Sequence, residues 1–287
     1  MSADFRLRLC YAKAGRGSYL SHLEVLRALT RAIRRSGLPF AVTCGFNPHM
    51  RIALGPALGV GVGSDAEYLD VSLTEYVPAN VALARLQAVQ TAVLPFLRAG
   101  YVNGKDASLN AVLDLQRFRV RLLTIGITPL AGPRLGADGA DRPDTDGDGT
   151  HSPILPAGFD IDVVGDARTD EGWHVAREGK ASTRELSAEC LAAGFAAVRS
   201  QEALSVSHKG KTKVFDPRLC IPNDVQVSRL EDTLEATFDL RISPQGSLRP
   251  DVLIQAVFAQ LQLETPPYRL TRVGLFMTEQ DGVRPPL

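Results

Sequence analysis

Phe5-Arg6-Leu7-Arg8-Leu9 returns 113 residues later as Phe118-Arg119-Val120-Arg121-Leu122. Each copy alternates apolar and basic residues, the pattern of a half-buried strand. Similar elements follow each copy in the same order, so the chain reads as an internal duplication. In the first half, Ser21-x-x-Glu24 forms a capping box ahead of Leu26, Leu29 and Ile33, and Gly37 with Pro39 stops that helix. Strand pieces follow at Phe40–Thr43, Arg51–Leu54 and Leu69–Leu73. Pro78 opens a second helix carrying Leu83, Leu86, Val89 and Val93, and Leu97–Val102 closes the unit. The order is β-α-β-β-α-β, a ferredoxin-like unit.

From Phe118 the second half reads alike. Ser182-x-x-Glu185 is a second capping box, before Leu186, Cys190, Phe195 and Val198. Thr212–Phe215 and Leu234–Ile242 read as strands, Pro250 opens a helix, and Tyr268–Met277 closes the unit. The expected fold class is therefore α+β, with two tandem ferredoxin-like (βαββαβ) units over 1–112 and 113–287. An acidic insertion, about 130–179, interrupts the second unit, with disorder expected over Gly132–Pro153. Phe159-x-Ile161-x-Val163 and Trp173-His174-Val175 are expected to add a hairpin there.

The formal net charge of zero hides a strong asymmetry. Met1–Arg51 holds nine Lys and Arg against two acids, whereas Leu130–Glu185 holds twelve acids against six bases. The basic head favours a polyanionic partner. Cys10, Cys44, Cys190 and Cys220 fit no zinc or iron–sulfur spacing, so free, mostly buried thiols in a reducing compartment are expected. Arg6 and Arg8 interrupt the early apolar stretch, and no apolar run approaches the roughly 20 residues of a membrane span. A cytoplasmic protein, without membrane, metal or cofactor, is the expectation.

Arg27, Arg31 and Arg34 recur at i, i+4 and i+7, which places them on one helix face able to track phosphates. Lys13 and Arg16 precede that helix, and Arg51 follows the next motif. Tyr19 and His22 flank the helix start, while Phe46, Asn47 and His49 occupy a loop turned by Asn47-Pro48. If that loop folds toward the helix start, Tyr19, His22 and His49 converge on one pocket. Glu67 and Asp70 enter the strand after it. Asp144-x-Asp146-x-Asp148-Gly149 echoes a calcium loop, but Leu155 stands where the bidentate Glu is required. The glycines at 55, 59, 61 and 63 lack the strand-to-helix context of a nucleotide loop. Lys209-Gly210-Lys211-Thr212-Lys213 is a second basic stretch and reads as a hairpin tip.

Tyr19-Leu20-Ser21-His22-Leu23, Gly45-Phe46-Asn47-Pro48-His49 and Glu67-Tyr68-Leu69-Asp70 resemble the radical-SAM-linked protein family of bacteria. Its members occur beside, or fused behind, cobalamin-binding-type radical SAM proteins, with genes near ribonuclease E/G and ribosomal proteins. The resemblance covers about the first 100 residues, and continues more thinly through Lys213–Arg218 and Leu248-Arg249-Pro250. Met50 and Ala53 depart from the family's usual Pro and Ser. The resemblance implies a radical SAM enzyme as partner, acting on RNA or a ribonucleoprotein. The chain itself lacks the C-x-x-x-C-x-x-C of such enzymes.

These features describe an accessory binding module rather than an enzyme. Lys13, Arg16, Arg27, Arg31, Arg34 and Arg51 would meet phosphates, and Tyr19, Phe46 and His49 unpaired bases. Asn47, His22, Glu67 and Asp70 would complete the binding surface. One alternative is a protein-only adaptor to the radical SAM partner. Another is a metal-independent endoribonuclease in which His22, Tyr19 or His49 deprotonates the 2′-hydroxyl. The opposite charges of the head and the insertion also set up competition for the basic face. Deleting Gly132–Pro153 is expected to tighten RNA binding at low salt. Unchanged affinity in a filter-binding titration would rule that competition out.

Overall fold

The repeated alternation folds as two strands of one sheet. β1 (Phe5–Lys13) sends Leu7, Leu9 and Tyr11 to one face, where they pack with Val25, Leu29 and Ile33 of α1 (His22–Arg35). A 3₁₀ turn, Gly15–Tyr19, links the two. The capping box is formed: the Glu24 N–H donates to Ser21 Oγ, and Glu24 Oε2 accepts from the Ser21 N–H at 2.8 Å. Gly37, at φ +67°, lets the chain leave the helix. The structure is a computed structural model describing residues 5–103, 106–123, 159–164, 186–208, 210–231, 233–243, 246–280 and 282–287.

The remaining first-half elements are β2 (Ile52–Leu54), β3 (Gly63–Leu73), α2 (Ala79–Val89) and β4 (Phe96–Val102). Then come α3 (Leu109–Val112), β5 (Leu115–Leu123), β6 (Phe159–Val164), α4 (Ala188–Ser200), β7 (Ala203–His208), β8 (Lys211–Phe215) and α5 (Pro217–Cys220). The chain continues through β9 (Gln226–Leu230), β10 (Thr233–Arg241), α6 (Pro250–Gln260), β11 (Tyr268–Glu279) and β12 (Gly282–Arg284). It is a mixed α+β protein with a large, mostly antiparallel sheet. No helix among the described residues is long and apolar enough to cross a membrane.

Two compact units result, one from the ranges 1–123, 219–248 and 267–287, the other from 124–218 and 249–266. The first holds a nine-stranded sheet in the order β4-β1-β3-β11-β5-β10-β9, with β2 also on β3 and β12 on β11. Both halves therefore supply strands. The early set runs β4-β1-β3-β2 and the later set β11-β5-β10-β9, and every pairing within each set is antiparallel. The two sets join through a parallel contact of only two residue pairs, Thr271↔Gly63 and Arg272↔Ser64.

Side chains reinforce that short seam. Arg272 is fully buried and donates from Nε to Glu67 Oε1 at 2.7 Å. Its Nη2 reaches Glu67 Oε2 and, at 2.8 Å, the Pro56 carbonyl, while Nη1 reaches Gln116 Oε1 at 3.2 Å. One guanidinium thus ties β11 to β3, to β5 and to the turn after β2.

The second unit contains a separate sheet, β6-β7-β8, with α4 and α6. Gly194 allows the two helices to close, because a Cβ there would stand 3.0 Å from Leu261 and Val257 side-chain atoms. Here the sequence expectation needs correction. Lys211–Phe215 is a strand, but it belongs to this small sheet; β9 is the strand that pairs with β10. Lys211, Thr212, Lys213 and Val214 are all exposed, so β8 has no buried face to offer a central sheet. Phe159–Val164 is a strand as expected, paired with β7, whose existence the sequence reading missed. Helix α4 begins at Ala188 and its N-cap is Ser187, which accepts from the Cys190 N–H at 3.1 Å; the expected Ser182–Glu185 box lies outside the described residues. Trp173, the Asp144–Gly149 loop and the segment of expected disorder lie outside the described residues. Only Cys10 among the cysteines is buried; Cys190 and Cys220 are half-buried and Cys44 is exposed.

Glu67→Gln leaves Arg272 buried with its charge uncompensated, and is expected to cost about 3–5 kcal/mol in urea unfolding. The Glu67→Leu/Arg272→Met double variant should lose less than the sum of its two single variants. Strict additivity would mean that the pair does not act as a unit.

Candidate functional site

The residues singled out in the sequence separate into an outer surface and an inner cluster, both in the first unit. Arg27, Arg31 and Arg34 stand exposed on α1, opposite its buried Val25, Leu29, Ala32 and Ile33. No salt bridge engages these three among the described residues. Arg35 differs, donating to the Val89 carbonyl at 2.6 Å. Arg16 and Tyr19, in the 3₁₀ turn, are exposed too.

The loop before β2 projects from a closed base. Val42 and Met50 form a bridge, the Thr43 N–H donates to the His49 carbonyl at 2.8 Å, and the His49 N–H donates to Thr43 Oγ1 at 3.0 Å. The Arg51 N–H donates to the Ala41 carbonyl. Every residue from Val42 to His49 is exposed, and Phe46 fully so. Asn47-Pro48 turns the tip, and Gly45 at φ +127° supplies the conformation the turn requires. Arg51, just past Met50, is exposed and has a partner of its own.

Lys13, His22 and Glu67 come together inside. His22, the first residue of α1, lines an open cleft of about 480 Å³ with Leu26, Ile52, Leu54, Pro56 and Asn110. Behind it, His22, Gly55 and Pro56 also border a space of about 10 Å³ lined by Tyr11, Lys13 and Glu67. Tyr19 and His49 line neither space. Lys13 is 3% exposed, and Nζ makes one long bond to the Gly59 carbonyl, at 3.4 Å. Burial lowers its pKa to about 8; Glu67 opposes that shift and Arg272 adds to it. Burial likewise raises the Tyr11 hydroxyl far above its usual range.

Asp70 faces the other side of the sheet. Arg8 grips it with Nε at 2.7 Å and Nη2 at 2.9 Å, and Arg6 Nε lies 3.8 Å away. Beside that pair, Tyr68 Oη accepts from Arg98 at 2.9 Å, and burial raises the pKa of the adjacent Cys10 thiol. Glu67 and Asp70 are therefore both held in buried ion pairs. Arg272 and Gln116, central to the inner cluster, escaped the sequence reading. An arginine two residues after Leu270, on the same inward face of the strand, was the available signal.

Residues 6–148 match the model of a family described as "Uncharacterized protein conserved in bacteria (DUF2344)", so this part of the chain is similar to that family. No curated protein matches the chain. The matched region takes in β1 to β5, hence the α1 stripe, the loop and the cleft's main walls.

The Lys13 environment sets a sign for stability against pH. In the unfolded chain Lys13 keeps its proton to about 10.4, whereas in the fold it releases it near 8. Between those values the unfolded state binds more protons, so stability rises with pH. Lys13→Met is expected to be the more stable protein at neutral pH. Its advantage should shrink by about 1–3 kcal/mol by pH 10.5. Urea unfolding of both proteins across that range checks it; a gap independent of pH would refute it.

Proposed function

We propose that this chain is an RNA-binding accessory module of a radical SAM enzyme system, holding RNA or a ribonucleoprotein for a separate enzyme. One observation carries the RNA reading: Arg27, Arg31 and Arg34 form an exposed stripe on α1 with no salt-bridge partner among the described residues. Three planar guanidiniums spaced along a helix suit a phosphate backbone. Phe46 adds support. A fully exposed aromatic ring on a loop pinned at its base suits stacking on an unpaired base. The radical SAM partner rests on the family resemblance of the three sequence motifs.

In the same reading the chain is a duplication of ferredoxin-like units acting in the cytoplasm. The matching strand orders β4-β1-β3-β2 and β11-β5-β10-β9 support the duplication.

Salt-titrated binding of total cellular RNA tests the proposal. The Arg27/Arg31/Arg34→Ala variant should bind more weakly, with the slope of log K against log salt reduced by about 0.7 for each lost contact to single strands. Phe46→Ala should cost about 1–3 kcal/mol on unpaired RNA and little on duplex. His22→Ala should leave binding unchanged. Binding at background level would point to a protein-only adaptor, and cut RNA ends that vanish with His22→Ala would point to a nuclease.

A further inference from the structure

Lys13 and Arg272 bring two cations into the interior of the first unit, beside a single carboxylate, Glu67. Arg272 engages both oxygens of that carboxylate. Lys13 is left with the long bond to the Gly59 carbonyl and forms no salt bridge among the described residues. A buried ammonium that shares its one nearby carboxylate with an arginine is under-compensated, and a ligand that supplies one negative charge relieves it.

The surroundings of Lys13 specify that ligand. Its side chain borders the space of about 10 Å³, room for a single water-sized atom. His22, Gly55 and Pro56 stand between this space and the cleft of about 480 Å³, whose other walls include Leu26, Ile52, Leu54 and Ile242. His22, the first residue of the 14-residue helix α1, lines both spaces, and a helix N-terminal end favours negative charge. We infer that the cleft binds small amphiphilic carboxylates, with one oxygen against Lys13, the other beside His22, and an apolar body along Leu26, Ile52 and Leu54. A phosphate monoester fits less well, since its head brings up to two charges and three oxygens to one spare cation and a one-atom space. The arginine stripe takes no part, so this site stands independently of the RNA reading.

The ionisable groups facing Lys13 are Tyr11 of β1, His22 of α1, Glu67 of β3 and Arg272 of β11. Of these contacts, the ligand's charge pairs with the Lys13 ammonium, so affinity falls as that group loses its proton.

Calorimetric titration of the full chain tests the site, using sodium hexanoate, 1-hexanol and inorganic phosphate at about pH 7.5 and about pH 9.5. Hexanoate should bind saturably at one site, with hexanol and phosphate at least about tenfold weaker. Hexanoate affinity should drop about tenfold or more at the higher pH. Lys13→Met should lose hexanoate binding. Ala57→Trp, at an exposed cleft position away from the inner space, should block it while the fold stays intact. The inference is overturned if hexanoate fails to bind, if hexanol matches it, or if Lys13→Met binds it equally well. Should Lys13→Met not fold, unchanged hexanoate affinity in Ala57→Trp overturns it alone.

Discussion

The ion pair between Arg272 and Glu67 is the interaction on which the large sheet depends. Backbone pairing between the early and late strand sets is limited to two residue pairs, too few to define a register alone. Arg272 removes the ambiguity because its donors have fixed directions. They meet Glu67, Gln116 and the Pro56 carbonyl at once, and a slip of β11 by one residue would turn the guanidinium to the opposite face. Apolar side chains would tolerate neighbouring registers far better. The interior accepts a charge here in exchange for a unique junction.

The segment Glu67-Tyr68-Leu69-Asp70 shows the same logic on two faces. Alternation in β3 sends Glu67 and Leu69 toward α1, and Tyr68 and Asp70 to the opposite side. Each polar residue then meets an arginine from elsewhere: Arg272 for Glu67, Arg98 for Tyr68, Arg8 for Asp70. Three polar residues within a run of four thus tie β3 to β1, β4 and β11. Lys13 is the cation that this pairing leaves over, and the inner space beside it follows from that imbalance.

Much of the fold was legible because its signals are local. The repeated strand, the Ser21–Glu24 box and the Pro250 helix start each depend on neighbours a few residues apart. Ser187 shows the limit: it caps α4 without the Ser-x-x-Glu signature of a capping box, so local pattern does not single it out. β8 was recognised as a strand but assigned to the wrong sheet, since alternation says nothing about the partner. The site was legible in part. Exposure of Arg27, Arg31, Arg34 and Phe46 follows from helix periodicity and loop composition. The burial of Lys13, Glu67 and Asp70 does not, because their partners lie at distant positions that local pattern cannot connect.

The distance along the chain between Glu67 and Arg272 has a consequence for the nascent protein. Arg272 leaves the ribosome 205 residues after Glu67, or about 10–40 s later at ordinary elongation rates. The early strand set has all its own members well before then. During that interval Glu67 has no arginine to meet at the seam, and the edge of β3 near Gly63 lacks its neighbour. Hydration of that edge and of the carboxylate must serve until β11 arrives. Assembly of the sheet is therefore ordered in time, with its central junction closed among the last.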